Sequence, residues 1–503
     1  ISELIMKKFY TALLIITLFY GCISMKKQEI QNQKKYLDID LAIINAVIYT
    51  MEYDSEKKIK TAQAIGIKNG KIVFVGTQEE LESIITDKTK IFDAQKKTII
   101  PGLIDSHAHL IGLGKSLSII DLRGIHSYQQ MIRTVQDAVM NTAPGEWILG
   151  RGWDQNLWID KQFPHHHDLS TIAPNNPVWL MRIDGHAGLA NELSMTLANI
   201  SEKTKQPDGG KIVYDNEKKI SGIFIDNAME LVTSIIPSET ENTLKQYFFK
   251  AQNTCLAQGI TMVHDMGINA QTSQLYHSLF SSNEIKMRLY GFWNGEPFIK
   301  NQTINVSPEY FHDDNPKFSM RSIKIYADGA LGSRGALLFD PYTDDNTNSG
   351  LMLYSQEQLN QFVSLAIEKG FQVGIHAIGD KANNMALNAF AVGQEKNSAK
   401  RDLRMRVEHA QVIGHEDMLR FNNLQIIASM QPTHATSDMT WAEQRVGPKR
   451  ILTSYAGKSI LETQAHIAFG SDFPIEEVNP FFGIYSAVTR MNNNQQPQGG
   501  WYS

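Results

Sequence analysis

The sequence lacks the features that define several classes of protein: many cysteines, an excess of positive charge and internal repeats. It contains only two cysteines, Cys22 and Cys255, which excludes a scaffold built on disulfides. Its 48 Lys and Arg residues against 53 Asp and Glu residues give a formal net charge of −5, which argues against a cationic surface for nucleic acid. No internal repeat or low-complexity tract stands out. What is present, 42% hydrophobic and 20% charged residues, is typical of a globular protein with ample core.

The N-terminus carries one apolar stretch, from Phe9 to Tyr20, which follows two lysines after Met6. A helix that spans a bilayer needs about 20 apolar residues, so this stretch is typical of a removable signal peptide over residues 1–22. Cys22 follows the stretch directly after a glycine, which resembles the lipobox of bacterial lipoproteins and implies lipidation at Cys22. We therefore expect an exported bacterial protein, anchored to a membrane in the periplasm or at the cell surface, with ordinary secretion as the alternative.

The rest of the chain shows three successive patterns. Residues 23–36 are polar and predict a flexible tether. Residues 37–100 hold short β-rich runs broken by Asn-Gly and Gly-Thr turn signals, which predict half of a small β-sandwich. Residues 101–503 alternate strand-length apolar runs with helical stretches, and eight runs are found: TIIPGLIDSHAH, GITMVHDMG, KMRLYGFW, RSIKIYADG, FQVGIHAIGD, MRVEHAQ, LQIIASMQP and HIAFGSDFP. They predict an α/β fold, a (β/α)8 TIM-like barrel with its reactive groups at the carboxyl ends of the strands.

Two stretches between these runs have the apolar spacing of helices, and they end on Gly259 and Gly370. By contrast, residues 113–244 are too many for one connection between barrel strands, and they include the strand-like run PVWLMRIDGH. We interpret them as an insertion that covers the mouth of the barrel.

Ionisable residues lie at the ends of several predicted strands. His107 and His109 are two positions apart, so their side chains leave a strand on the same face, which suits Zn²⁺ or a similar divalent ion. For this pair alone, two histidines that cap a strand are the alternative. Four more potential ligands occupy corresponding places: Lys324, His376, His409 and Asp472. Because a buried lysine is costly unless it is paired or neutralised, Lys324 is either a carbamylated metal ligand or the ion-pair partner of Asp328.

The ordered segments GLIDSHAHL, KIYADGALGSRGA, HAIGD, EHAQ and GSDFP resemble the metal-dependent amidohydrolase superfamily, in the branch that includes N-substituted formamide deformylases. The resemblance runs from about residue 40 to residue 502. It implies that one or two divalent ions, expected to be zinc, are held by His107, His109, Lys324 as carboxylysine, His376, His409 and Asp472. It also implies that Asp472 is the catalytic residue, which takes a proton from activated water and delivers it to the leaving nitrogen.

Three further residues are candidates for a substrate pocket. His186, in the insertion, either faces the substrate or is structural. Asp265 and Asp328 follow strands, and they either orient metal ligands or cap the next helices. Members of the family continue past the position of Tyr502 with the return strands of the sandwich. The resemblance therefore implies that the C-terminal part of the sandwich is missing and that the sequence is a fragment.

The predicted function is metal-dependent hydrolysis of a non-peptide C–N bond in an amide, an N-substituted formamide or a cyclic amide. One alternative is an esterase, lactonase or small-peptide hydrolase that uses the same site. Another is a non-catalytic surface lipoprotein that binds a small ligand, because fold alone does not fix function. The expected partner is a small-molecule substrate, with no nucleic acid and with membrane contact only through the lipid at Cys22.

Overall fold

The computed structural model describes residues 38–183, 185, 187–207, 210–312, 316–400 and 402–502. The predicted signal peptide, Cys22 and the tether lie outside these residues. The chain divides into two compact units, the first ending at Gly102 and the second beginning at Leu103. Each unit has its own sheets and its own buried apolar clusters.

The first unit contains two small sheets. Its strands are β1 (Leu41–Ile44), β2 (Val47–Tyr53), β3 (Ile59–Ala62), β4 (Ala64–Lys68), β5 (Lys71–Gly76), β6 (Lys90–Asp93) and β7 (Thr98–Ile99). They form one sheet in the order β5-β4-β1-β6 and another in the order β3-β2-β7. Asn69 and Gly70 connect β4 to β5 with φ values of 50° and 73°, as a two-residue Asn-Gly hairpin requires. The helix Gln78–Glu82 begins at a Thr77 N-cap and buries Leu81.

The second unit is built on a parallel barrel. Its strands are β8 (Leu103–Ala108), β9 (Ile120–Asp121), β10 (Ile148–Trp153), β11 (Val178–Arg182), β12 (Ala187–Ala190), β13 (Gly210–Tyr214), β14 (Ile220–Asp226), β15 (Ile260–Ile268), β16 (Arg288–Asn294), β17 (Phe318–Tyr326), β18 (Gln372–Ala377), β19 (Arg406–His409), β20 (Ile427–Met430) and β21 (Ile467–Phe469). The barrel strands lie in the order β21-β20-β19-β18-β17-β16-β15-β8, and every hydrogen-bonded pair is parallel. Each predicted run overlaps one of these strands, so the predicted barrel is confirmed.

The segment after β21 brings the two ends of the barrel together. The amide of Asp472 donates to the carbonyl of His107 at 2.8 Å, and the amide of His109 donates to the carbonyl of Phe473 at 2.9 Å. Gly470 permits this approach, because a Cβ atom there would lie 2.5 Å from the backbone nitrogen of His107. The first and last strands of the barrel therefore meet where candidate ligands emerge.

Helices cover the outside of the barrel. The helices of the second unit are Leu110–Ser116, Tyr128–Val139, His167–Ile172, Glu192–Leu197, Glu230–Thr233, Glu241–Ala257, Ala270–Ser281, Glu296–Lys300, Gln356–Glu368, Asp380–Lys396, His415–Asn423, Pro432–Asp438, Ala442–Arg450, Gly457–Glu462 and Pro480–Thr489. Both predicted helical stretches are confirmed: Glu241–Ala257 and Gln356–Glu368 are each followed closely by a glycine with positive φ, 80° at Gly259 and 87° at Gly370.

Residues between β8 and β15 form a separate sheet in the order β13-β14-β12-β11-β10-β9. The run PVWLMRIDGH contributes its strand β11, and Trp153, Leu180 and Leu189 are buried in the apolar cluster beside this sheet. In the part of the chain that the structure describes, no helix has both the length and the apolar character that crossing a membrane requires.

Candidate metal centre

Six candidate ligands from the sequence lie at the carboxyl end of the barrel. His107 lies in β8, Lys324 in β17 and His376 in β18, while His409 ends β19. His109 directly follows β8, and Asp472 follows β21. His107, Lys324, His409 and Asp472 are buried, with exposed fractions between 0% and 6%. Parallel strands point their carboxyl ends the same way, so residues that are far apart in the chain meet here.

Asp472 is close to both histidines of the first barrel strand. Its Oδ1 atom lies 3.2 Å from Nε2 of His109 and 3.6 Å from Nε2 of His107. These three residues offer ligand atoms within 4.8 Å of one another, so they could share one metal ion. Burial alone would raise the pKa of Asp472, but the nearby histidines, His109 foremost, hold it below its usual value.

Three histidines present the same nitrogen to this centre. The Nδ1 atom of His107 donates to Glu408 at 2.6 Å, that of His109 to the Met266 carbonyl at 3.2 Å, and that of His409 to Oε1 of Gln431 at 2.9 Å. Each of these partners is an oxygen that can only accept. The proton therefore resides on Nδ1, and the Nε2 lone pair of each ring is left for a cation.

Glu408 belongs to a buried charged network that the sequence did not reveal. Its carboxylate is 0% exposed and pairs with Arg406, 2.7 Å from the guanidinium Nε. Arg406 also donates to the carbonyl of Ser106 at 2.6 Å and to His264 at 2.8 Å. Burial opposes ionisation of Glu408, but Arg406 and the hydrogen bond from His107 lower its pKa. Glu408 thus stays charged and fixes the ring of His107.

Lys324 lies beside His107, with 3.5 Å between Nζ and Nε2. Only 1% of the residue is exposed. Burial, reinforced by the charge of Arg406, lowers the pKa of Lys324 to about 8. A larger fraction of this amine is therefore neutral near pH 7 than of an exposed lysine.

His376 and Asp328 lie together on the next side of the barrel. The ring centroid of His376 is 4.5 Å from that of His409, but its Nε2 atom lies 3.5 Å from Oδ1 of Asp328. Asp328 accepts backbone amides from Leu337, Ile378 and Gly379 at 2.8–3.0 Å. Burial raises the pKa of Asp328 to about 7, although these amides act in the opposite direction.

Asp265 accepts hydrogen bonds from the Leu110 amide at 2.8 Å and the Tyr276 hydroxyl at 2.6 Å. It therefore holds the first residue of the helix that follows His109. Asp105 plays a similar part on the other side: it accepts from the amide of His107 and from the hydroxyl of Ser471. Burial raises the pKa of Asp105 to about 6. His186, the remaining candidate, lies outside the described residues.

A second group of potential ligands includes a residue that the sequence analysis missed. His409, His434 and Asp472 also offer ligand atoms within 4.8 Å of one another. His434 lies in the helix Pro432–Asp438, which begins two residues after the end of β20. Its place beyond a barrel strand, in the segment QPTHAT, is the signal that could have identified it.

The donors at this end of the barrel fit a divalent cation. Imidazole nitrogens and a carboxylate are the ligands that Zn²⁺ and related ions take. Asp472 Oδ1, His376 Nε2 and His434 Nε2 are buried and have no hydrogen-bond partner among the described residues. Buried polar atoms are rarely left unsatisfied, so such a cluster fits a site that binds a cation.

The comparisons with known proteins agree with this geometry. The Amidohydrolase family matches residues 90–502. The chain is 35% identical to the protein LONG AFTER FAR-RED 3 of Arabidopsis thaliana, over 90% of this chain and 78% of the relative. It is 31% identical to the putative amidohydrolase YtcJ of Bacillus subtilis, over 89% and 83%. It is also 25% identical to the N-substituted formamide deformylase of Arthrobacter pascens, over 90% and 84%.

Among solved structures, an uncharacterized metal-dependent hydrolase from Pyrococcus furiosus superposes with a TM-score of 0.73 at 29% identity. The match covers 89% of this chain and 88% of that protein. The family match extends over most of the chain and includes every candidate ligand in the barrel. The chain therefore belongs to the Amidohydrolase family and is a hydrolase.

Proposed function

We propose that this hydrolase cleaves a non-peptide C–N bond in an amide, an N-substituted formamide or a cyclic amide. The observation that carries the proposal is the convergence of His107, His109 and Asp472, with a buried, unpartnered carboxylate oxygen on Asp472. The 25% identity to the N-substituted formamide deformylase supports this class of bond.

We propose that the centre holds one or two divalent ions, with zinc as the expected metal. Its ligands would come from His107, His109, His376, His409 and Asp472, together with Lys324 as a carboxylysine. When bound, such an ion lowers the pKa of water toward about 7 and polarises a carbonyl group. The chain contributes the rest of the chemistry.

Asp472 is the proposed carrier of the proton. Because its pKa is lowered, its carboxylate is ionised at neutral pH and can accept a proton. The proton would enter at Oδ1 and pass from there to the leaving nitrogen as the C–N bond breaks. The product amine is then neutral when it departs.

Lys324 is the proposed source of a further anionic ligand. A neutral lysine amine attacks carbon dioxide, a new N–C bond forms, and one proton is released to give a carbamate. Its burial favours the neutral amine that this reaction needs. Lys324→Ala should therefore lower the metal content, with partial rescue by small carboxylates. An unchanged metal content would remove Lys324 from the ligand set.

Measuring metal and substrate range together tests the function. Divalent metals are quantified in the purified full chain, and the same preparation is assayed on N-substituted formamides, cyclic amides and linear amides, and on matched esters, lactones and dipeptides. We expect bound divalent metal and turnover of at least one class of non-peptide C–N substrate. Turnover confined to esters, lactones or dipeptides would replace the proposed reaction, and neither metal nor turnover would indicate a ligand-binding protein.

We also propose, from the sequence alone, that the chain is exported and lipidated at Cys22. Metabolic labelling with a radioactive fatty acid should mark the wild-type protein in a bacterial host. The Cys22→Ser variant should carry no label, and a label that persists in it would contradict the proposal.

A further inference from the structure

The amino end of the barrel, opposite the metal centre, contains a cavity of about 420 Å³. Small-molecule sites in proteins measure about 300–1,000 Å³. The residues that line this cavity come early in the barrel strands. Arg321 precedes Lys324 by three positions in β17, and it lines the cavity. In the described part of the chain, no candidate metal ligand does so. The cavity is therefore separate from the metal centre.

The charge of this cavity is positive. Among the residues that the structure describes, three arginines and no carboxylate line it. Arg404 pairs with Asp402, with 2.8 Å between Nε and Oδ1. Arg406 pairs with Glu408 at 2.7 Å, as described above. The remaining guanidinium, on Arg321, forms no ion pair with any described residue. Arg321 is therefore the uncompensated charge of the cavity.

Arg321 is held in place without satisfying its hydrogen-bond donors. Its guanidinium carbon lies 5.1 Å from the centroid of the Tyr310 ring, a cation–π contact. Its Nε atom is buried and has no hydrogen-bond partner among the described residues. A guanidinium presents a planar fork of N–H donors that matches the two oxygens of a carboxylate. Buried donors are rarely left unpaired, so the position of Arg321 calls for an anion.

His264 adds another donor to the same cavity. Nη1 of Arg406 lies 2.8 Å from Nδ1 of His264. Because a guanidinium can only donate, Nδ1 is the acceptor and the proton of the neutral ring is on Nε2. The polar groups that line this cavity near Arg321 thus include a further donor, which suits an anionic ligand better than a cationic one.

The walls of the cavity beside these donors are apolar and aromatic. Tyr290, Tyr310 and Phe311 line it, and the rings of Tyr290 and Phe311 lie 6.1 Å apart between centroids. Met262 and Ile427 supply further apolar surface. A ligand that fills this space needs an apolar body as well as a negative charge.

We propose that this cavity binds a small organic carboxylate with an aromatic body, whose carboxylate is held by Arg321. One uncompensated guanidinium matches a monoanion, whereas a phosphate group carries about 1.5 to 2 negative charges at neutral pH. The inference is independent of the proposed hydrolysis, because the cavity and the metal centre lie at opposite ends of the barrel.

Calorimetric titration of the full chain with benzoate tests the proposal. Benzamide is the neutral analogue of the same shape, and inorganic sulfate is an anion without the apolar body. Each titration is run with and without saturating Zn²⁺, since a carboxylate can also bind a metal ion. We expect benzoate to bind under both conditions, and benzamide and sulfate to bind at least about tenfold more weakly.

Two arginine variants show where benzoate binds. Arg321→Gln should weaken benzoate binding by about 10–100-fold, because the charge and the fork are lost. Arg133→Gln is the matched control, at an exposed arginine on the helix Tyr128–Val139, and it should bind benzoate like the wild type. Circular dichroism checks that both variants are folded.

Several outcomes would overturn the proposal. They are an absence of benzoate binding to the wild type, binding that requires Zn²⁺, equal affinity for benzamide, and unchanged affinity in Arg321→Gln. Sulfate binding as tight as that of benzoate would replace the organic carboxylate with an inorganic anion. If Arg321→Gln fails to fold, Arg321→Lys takes its place: it keeps the charge but loses the planar fork, so weaker benzoate binding supports the site and unchanged binding contradicts it.

Discussion

At the scale of single residues, Asp472 is positioned by the backbone before any ligand binds. Its φ angle is 62°, in the left-handed region that costs most L-residues about 1–2 kcal/mol. The hydrogen bond from its amide to the carbonyl of His107 at 2.8 Å opposes relaxation of that conformation. The carboxylate therefore has little to reorganise when a substrate arrives, which favours catalysis.

Asp472→Asn should separate proton transfer from metal binding. The four imidazoles that surround position 472 remain, so the variant should keep at least one metal ion. Turnover should fall by about 10²–10⁴-fold, because an amide cannot accept the proton. Metal analysis and steady-state kinetics measure the two effects.

Asp417→Asn is the matched control for this substitution. Asp417 is another buried aspartate, 1% exposed, and it pairs with Arg420 at 2.7 Å on the outer helix His415–Asn423. We expect this variant to lose stability but to keep its turnover per folded molecule. Near-normal turnover in Asp472→Asn would remove Asp472 from the proton route.

His264 should make the protein less stable in acid. Burial, followed by the charge of Arg406, lowers the pKa of His264 to about 3, below its value of 6.5 when unfolded. Between these values the unfolded chain binds the proton more readily, so the contribution of His264 to stability is complete above pH 6.5 and is lost as the pH falls toward 3.

His264→Gln keeps an acceptor for Arg406 and removes this titration. The loss of stability between pH 7 and pH 5 should therefore shrink by up to about 2 kcal/mol, as measured by urea unfolding. His277→Gln, at a half-exposed histidine on the helix Ala270–Ser281, should leave the loss unchanged. An equal pH dependence in His264→Gln and the wild type would contradict the assignment.

At the scale of elements, the helix Leu110–Ser116 crosses the helix Glu241–Ala257 at a point where only glycine fits. A Cβ atom on Gly114 would lie 2.0 Å from the carbonyl oxygen of Tyr247. The crossing helix begins directly after His109, so its position bears on that ligand as well as on the core.

Gly114→Ala should therefore force the two helices apart. We expect destabilisation of about 1–3 kcal/mol from overpacking, together with lower metal affinity through the shift of His109. Gly483→Ala is the matched control, because Gly483 lies in the helix Pro480–Thr489 and a Cβ atom there meets nothing within 4 Å. The free energy of unfolding of Gly483→Ala, measured with denaturant, should equal that of the wild type or exceed it by up to about 1 kcal/mol. A stable Gly114→Ala would mean that the crossing is loosely packed.

The strands of the barrel were predictable because each one has a recognisable pattern in the local sequence. An apolar run that ends in polar residues marks a strand of a parallel barrel, and all eight appeared in order. The sequence pattern of the strands β9 to β14, which form the other sheet of this unit, is weaker. Of these strands, only β11 was predicted from the sequence; β9, with two residues, carries almost no pattern.

The candidate site was predictable in part for a similar reason. His107 and His109 were identified by their two-residue spacing after an apolar run. Glu408 did not, since its role depends on Arg406 and on a ring from β8, and no local pattern encodes a contact between distant strands. His434 was missed because it lies in a short helix after β20, and its approach to Asp472 depends on how that helix folds back over the barrel end.

At the scale of the whole molecule, a bound cation would join the first strand of the barrel to its last strands. The candidate ligands come from β8, β19 and the segments after β20 and β21. A ligand that binds only the folded state stabilises it by mass action, by about 2.7 kcal/mol when the free ligand is at 100 times its Kd.

Removal of metal with a chelator should therefore lower the thermal midpoint and abolish turnover. Adding Zn²⁺ back should restore both, and calorimetry with parallel assays measures the recovery. As a control, a chelator saturated with Zn²⁺ should have no effect. A thermal midpoint that does not respond to the chelator would argue against an ion that links the strands.

The left-handed backbone at His409 and Asp472, with φ values of 73° and 62°, also limits how this enzyme can evolve. Histidine, aspartate, asparagine and glycine tolerate that conformation better than other residues, and β-branched residues tolerate it poorly. Selection for a new substrate or a new ion has few viable replacements at these two places. We therefore expect amino-acid substitutions among related enzymes to accumulate in the surrounding loops, while positions 409 and 472 change little.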